Sequence, residues 1–193
     1  MSEIHDLVIV GAGPAGSALA YFLASNGIDV VFVDKSSFPR DKTCGDGLSP
    51  RAIHILKRMG VIDLVRASAF EIRHVDFFAP NGTRILNPIP SFEGLPDYAL
   101  VIPRNIFDDI IRVYAIEAGA SFRPQVTVVD ALREGELITG VRANTLTGSL
   151  EIRARFTIFA TGAAYSILEK TQLLKHKPDF SRAARTYYEG VEG

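Results

Sequence analysis

The chain has 193 residues, of which 47% are hydrophobic and 22% charged, enough for one good-sized globular domain or slightly more. A formal net charge of −1 gives no electrostatic footprint for nucleic acid, so no nucleic-acid partner is expected. The single cysteine excludes an internal disulfide framework and a multi-cysteine zinc site, and the scattered His5, His54, His74 and His176 show no metal-ligand spacing, so no metal is expected.

The first long apolar stretch is "DLVIVGAGPAGSALAYFLASNGIDVVFV". Glu3 and Asp6 stand where a secretory leader carries basic residues, and Gly-Ala-Gly-Pro and Asn26-Gly27-Ile28-Asp29 interrupt any membrane helix. The stretch divides better into strand, glycine turn, helix and strand. Leu7–Val10 is a continuous apolar run, as in a strand buried on both faces. Ala15, Ala18, Leu19, Phe22 and Leu23 then recur at one-face helical spacing, Asn26-Gly27 stops the helix, and Val30–Val33 forms a second buried strand ended by Asp34.

This βαβ unit carries Gly11, Gly13 and Gly16 in its first turn, with Pro14 and Ala15 opening the helix. Gly11 suits a tight turn, Gly13 lets a pyrophosphate reach the backbone, and Gly16 lets helix and strand pack closely. The helix N-terminus offers free N–H groups to phosphates. Asp34, followed by Lys35, puts a carboxylate where an adenosine ribose is hydrogen-bonded and a 2′-phosphate repelled. The pattern favours a bound dinucleotide over a purely structural turn and leaves FAD and NAD both open.

Next comes "RDKTCGDGLSP", Arg40–Pro50, a loop holding the one cysteine and two glycines, with Ser49-Pro50 capping a helix over Ala52–Met59 stopped by Gly60. "FFAPNGTRIL" predicts a hairpin turning at Asn81-Gly82. "IPRNIFDDIIRVYAIEAGASF" predicts a helix entered at Pro103 and stopped at Gly119, burying Ile106, Phe107, Ile110, Ile111, Tyr114 and Ala118. Arg104 falls outside that stripe and reads from spacing alone as a solvated arginine. Short strands follow around Ser121–Phe122, Val126–Val129, Leu137–Ala143 and Leu150–Ile152, and "ARFTIFATGA" adds a buried strand, Phe156–Phe159, ending in Ala160-Thr161-Gly162. The expected fold is α/β: a Rossmann-like parallel sheet with strands near 6–10, 29–33 and 155–160, interrupted by an antiparallel meander near 125–152.

The segments "GAGPAG", "VDK", "FPRDKTCGDGLSPRAI", "PRNIFDDIIRVYAIEAGA" and "ATGA" together resemble the flavoprotein superfamily that includes para-hydroxybenzoate hydroxylase. Within it the chain is most similar to the geranylgeranyl reductase family, "CGDGLSPRA" being the specific match. The resemblance implies FAD as cofactor and reduction of C=C bonds in a polyprenyl lipid or quinone side chain. It further implies an electron donor, NAD(P)H or ferredoxin-like, and a cytoplasmic protein with a peripheral membrane contact. It sets Cys44 and Gly45 beside the flavin ring, Arg104 on the phosphate or ribityl oxygens, the backbone near Val126 on the adenine, and Ala160, Thr161 and Gly162 near the phosphates, with Arg40 in the same loop. No catalytic residue is legible; Cys44 is the flavin-proximal candidate, against the plainer reading of a small buried hydrophobe.

Members of this superfamily carry a later Gly-Asp motif, and none follows Thr161 here. "RAARTYYEGV" resembles the first strand of the family's substrate domain. The expected organisation is an FAD-binding domain over 1–175, interrupted at about 65–100 by substrate-domain segments, with 176–193 opening a substrate domain. A C-terminal half or a second chain would complete it, and the 193 residues alone would turn over no polyprenyl substrate. A non-catalytic dinucleotide-binding module and part of a flavin-dependent aromatic hydroxylase are the alternatives.

Overall fold

The computed structural model describes residues 4–174, 176, 178–179, 181 and 183–190. In chain order the elements are β1 (Ile4–Val10), α1 (Pro14–Ala24), β2 (Val30–Val33), β3 (Gly47–Leu48), α2 (Pro50–Arg58), α3 (Ile62–Ala67), β4 (Phe70–Ile72) and β5 (His74–Phe78). Then come β6 (Arg84–Pro88), β7 (Ala99–Val101), α4 (Arg104–Glu117), β8 (Ser121–Arg123), β9 (Thr127–Glu134), β10 (Leu137–Thr145), β11 (Gly148–Phe159) and α5 (Ser166–Lys170).

The main sheet has the order β8-β2-β1-β11-β10-β9. Its first four strands run parallel, and β11, β10 and β9 form the expected antiparallel meander. Side chains alternate across β1 and β2, which is why both read as unbroken apolar runs. Leu7, Ile9, Val30 and Phe32 pack with Ala20 of α1 and Ala115 of α4, while Val8, Val10, Val31 and Val33 cluster with Val141, Ala143 and Ile152 on the other side. A further core joins α2, α3, β7 and α4 through Ile53, Leu56, Val65, Leu100, Phe107 and Ile111.

Five local expectations change. The separate strands at Leu150–Ile152 and Phe156–Phe159 are one strand, β11, in which Ile152 and Ala154 are buried and Arg153 and Arg155 point the other way. Two arginines in an alternating strand resemble a break in an apolar run, which hides the period-2 signal. The deepest face of α1 is Gly16, Ser17 and Ala20, and Ala15 is exposed, because small side chains rather than large ones set the approach to the sheet. In α4, Ile106 is 39% exposed, whereas Arg104 is buried and Asp108 has no exposure at all. The β5–β6 hairpin forms, but the Gly82 N–H donates to the Ala79 carbonyl at 2.9 Å, so Pro80-Asn81 is central and Gly82 follows with φ +82. Among the described residues of "RAARTYYEGV", no strand is present over 183–188.

Candidate functional site

The carboxyl ends of β1, β2 and β11 meet at the glycine turn. The Gly11 N–H donates to the Val33 carbonyl and the Ala160 N–H to the Val10 carbonyl, each at 2.8 Å. Gly11 has φ +108, and a Cβ on it would lie 2.4 Å from the Ala160 carbonyl oxygen. A Cβ on Gly16 would lie 1.8 Å from the Gly11 oxygen, so this residue fixes the close contact of α1 with the turn.

A cavity of about 520 Å³ opens there, at the strand ends where open parallel sheets place their ligands. Of the residues singled out from the sequence, Gly11, Gly13, Asp34, Lys35, Arg40, Val126, Ala160 and Thr161 line it. Pro14, Ala15 and Gly16 belong to the helix start behind it, and Gly162 turns toward Lys42, whose Nζ would lie 3.1 Å from a Cβ at that position. Val126 donates its N–H to the Asp34 carbonyl at 2.9 Å, which commits that N–H to the protein. Cys44 is exposed rather than a buried hydrophobe, and Gly45 has nothing within 4 Å of its Cβ position.

The charges around the cavity form a chain. Asp34 Oδ2 accepts from the Ala12 N–H at 3.0 Å and Oδ1 from the Ser36 N–H at 2.9 Å. Arg40 lies 3.7 Å from Asp34 and 3.5 Å from Asp108. Arg104 grips Asp108 with both branches, Nε at 2.6 Å and a terminal nitrogen at 2.8 Å. That grip raises the Arg104 pKa against the opposing effect of burial, and neighbouring Cys44 adds to the rise. Arg104 is therefore no solvated arginine; it turns toward Asp108 and does not line the cavity. Lys42 lines it, and burial, helped by Arg40 and Arg104, pushes its pKa below the ordinary 10.5.

Asp108 and Lys42 escaped the sequence reading. Lys42 lies in a loop without periodicity, and Asp108 reads as the polar face of a helix. Its spacing of four from Arg104 was the available signal.

These features fit a dinucleotide diphosphate. Among the described residues only the Arg40 guanidinium, at 3.6 Å, lies near the missing Cβ of Gly13, so the backbone is open to approach. The Arg40 Nε is buried with no hydrogen-bond partner among the described residues, an orphaned donor beside that opening. The desolvated Lys42 ammonium adds a cation that an anion would relieve.

Fold and cavity thus define a nucleotide-binding α/β domain of the flavoprotein kind. The chain matches the FAD binding domain family over residues 5–177. It belongs to that family, and its cofactor is FAD. It is 44% identical over 136 residues to the menaquinone reductase of Mycolicibacterium smegmatis, covering 69% of this chain and 32% of that protein. It is 31% identical over 163 residues to the digeranylgeranylglycerophospholipid reductase of Methanosarcina acetivorans, covering 84% and 39%. The myxobacterial chondrochloren halogenase CndH superposes with a TM-score of 0.80 at 29% identity, covering 87% of this chain and 39% of that one. The chain spans 32% to 39% of the length of these curated relatives. Among the described residues no helix is long and apolar enough to cross a membrane.

Proposed function

We propose that the chain is the FAD-holding part of an oxidoreductase that reduces C=C bonds in the polyprenyl chain of a lipid or quinone. The supporting observation is the convergence of the glycine turn, Asp34, Arg40 and Thr161 on one cavity, with the cysteine loop leading away from it. In this reading Gly11, Gly13 and the start of α1 face the diphosphate, Arg40 and Lys42 balance its charge, and Asp34 accepts from a ribose hydroxyl. Bound FAD supplies hydride transfer. The Cys44-Gly45 turn, open above Gly45, makes one wall for a flat ring. An isolated C=C is unpolarised, so the protein contributes mainly by holding ring and alkene in place and excluding water. The substrate is a polyprenyl lipid, the donor NAD(P)H or a ferredoxin-like protein, and residues 176–193 open a substrate domain.

The 29% identity to a halogenase favours a second reading, a flavin enzyme that halogenates or hydroxylates an aromatic ring. The test begins with titration of the purified chain with FAD, followed by flavin absorbance and fluorescence. Absence of binding removes both readings. A protein containing this domain, reduced and given a geranylgeranyl lipid or menaquinone, should yield a product heavier by two hydrogens per reduced bond; a halogenated or hydroxylated aromatic product would support the second reading instead.

A further inference from the structure

The Arg40–Ser49 loop is open around its glycines. Gly45 and Gly47 have nothing within 4 Å of their Cβ positions. Its far end is anchored where the Ile102 N–H donates to the Asp46 carbonyl at 3.0 Å and where β3 pairs with β7. Arg40 ties its start to Asp34 and Asp108, and side chains from a distant part of the chain hold its middle. Arg185 binds both oxygens of Asp41, at 2.6 and 2.7 Å, and reaches Asp46 Oδ1 at 2.8 Å and the Cys44 carbonyl at 3.5 Å. The Tyr187 hydroxyl donates to the other Asp46 oxygen at 2.7 Å, and the Arg185 guanidinium lies 4.7 Å from the Tyr187 ring centre. The Asp46 side chain is only 10% exposed, and these partners occupy both of its carboxylate oxygens. Residues 183–188 have no secondary structure of their own, yet the four carboxylate oxygens of Asp41 and Asp46, on either side of Cys44, and the Cys44 carbonyl are tied to them.

We propose that Arg185 and Tyr187 are positioning residues that clamp the Asp41–Asp46 turn and so set the place of Cys44 and Gly45 at the flavin-ring end of the site. This rests on the reading that the loop borders the ring. The clamp spans the turn from both sides: one terminal nitrogen of Arg185 sits on both Asp41 oxygens and the other on Asp46, so the planar fork fixes direction as well as distance, and the Tyr187 hydroxyl holds the second Asp46 oxygen. The glycine turn and Asp34 lie outside it. Of the residues assigned to the diphosphate only Lys42 lies within the clamped turn, so loss of the clamp should affect the ring half of the cofactor more than the adenosine diphosphate half.

The experiment compares the 193-residue chain with Arg185→Ala, Arg185→Lys and Tyr187→Phe. It reads amide hydrogen exchange over 41–47 without ligand, and titrations with FAD and with ADP. Arg185→Ala should speed exchange over 41–47 while β10 stays protected. FAD binding should weaken about tenfold, the size of a lost charge-assisted hydrogen bond, with ADP binding within about twofold of the parent. Arg185→Lys, which keeps the charge but not the fork, should fall between. Tyr187→Phe should shift the same readouts less, and it decides the matter if Arg185→Ala fails to fold. Unchanged exchange over 41–47 overturns the clamp, and equal losses for FAD and ADP overturn the positioning role. A parent chain that binds neither ligand counts against the FAD reading, and exchange alone then decides the clamp.

Discussion

Asp34 accepts a hydrogen bond from the Ala12 backbone N–H at 3.0 Å, joining the tip of β2 to the glycine turn that follows β1. One carboxylate thus shapes the turn and lines the cavity. Replacing Asp34 with Ala should weaken FAD binding by about 1–3 kcal/mol, since it removes an acceptor and orphans the donors of Ala12 and Ser36. Unchanged FAD affinity in a fluorescence titration would count against the assignment.

The glycines of the turn should separate into two kinds. Gly16→Ala places a methyl 1.8 Å from a backbone oxygen that has no room to move, and it should lower the unfolding midpoint sharply, by more than about 2 kcal/mol in stability. Gly13→Ala meets only the Arg40 guanidinium at 3.6 Å, so the fold should survive while FAD binding falls. Paired thermal melts and titrations check this; a Gly13→Ala protein that binds FAD like its parent would show that the diphosphate does not approach there.

Asp108 holds Arg104 directly, lies 3.5 Å from Arg40, and is wholly buried. Asp108→Ala should cost about 3–5 kcal/mol in urea unfolding, because it strands a buried guanidinium. Replacing the pair together, Arg104→Met with Asp108→Leu, should recover much of that loss. A single variant as stable as the parent would mean that the cations are hydrated after all.

Lys42 gives a pH signature. Its folded pKa is depressed below 10.5, first by burial, then by Arg40 and Arg104, with Asp108 and Asp34 opposing. Below the depressed value both states carry the proton and the fold bears the desolvation cost. Between that value and 10.5 the unfolded chain binds more protons, so stability of the ligand-free chain should rise with pH. Lys42→Met should flatten that rise. Urea midpoints taken from neutral to alkaline pH test it, and identical pH profiles for the two proteins would reject it.

A further outcome concerns Cys44, exposed and next to Arg104. Cys44→Ala should fold and bind FAD normally if the thiol only neighbours the ring. In a complete enzyme it should slow reduction without abolishing it. Total loss of reduction with flavin content intact would make the thiol a chemical participant.

The sequence by itself determined the βαβ unit, the glycine turn, the acidic strand tip and the meander, and through them the cofactor class. Each is a local pattern: apolar runs in β1 and β2, a helix between them, glycines where backbone meets backbone. Only the tertiary structure decided that Arg104 faces inward onto Asp108, that Arg153 and Arg155 belong to one continuous β11, and that Arg185 grips Asp41 and Asp46. Periodicity assigns a charge to solvent by default, and it cannot foresee a partner that cancels the cost of burial. For Arg185 the partners lie 144 and 139 residues away, a separation that carries no local signal. The cavity shares that origin, because its walls come from the ends of β1, β2 and β11, which become neighbours only when the sheet has formed.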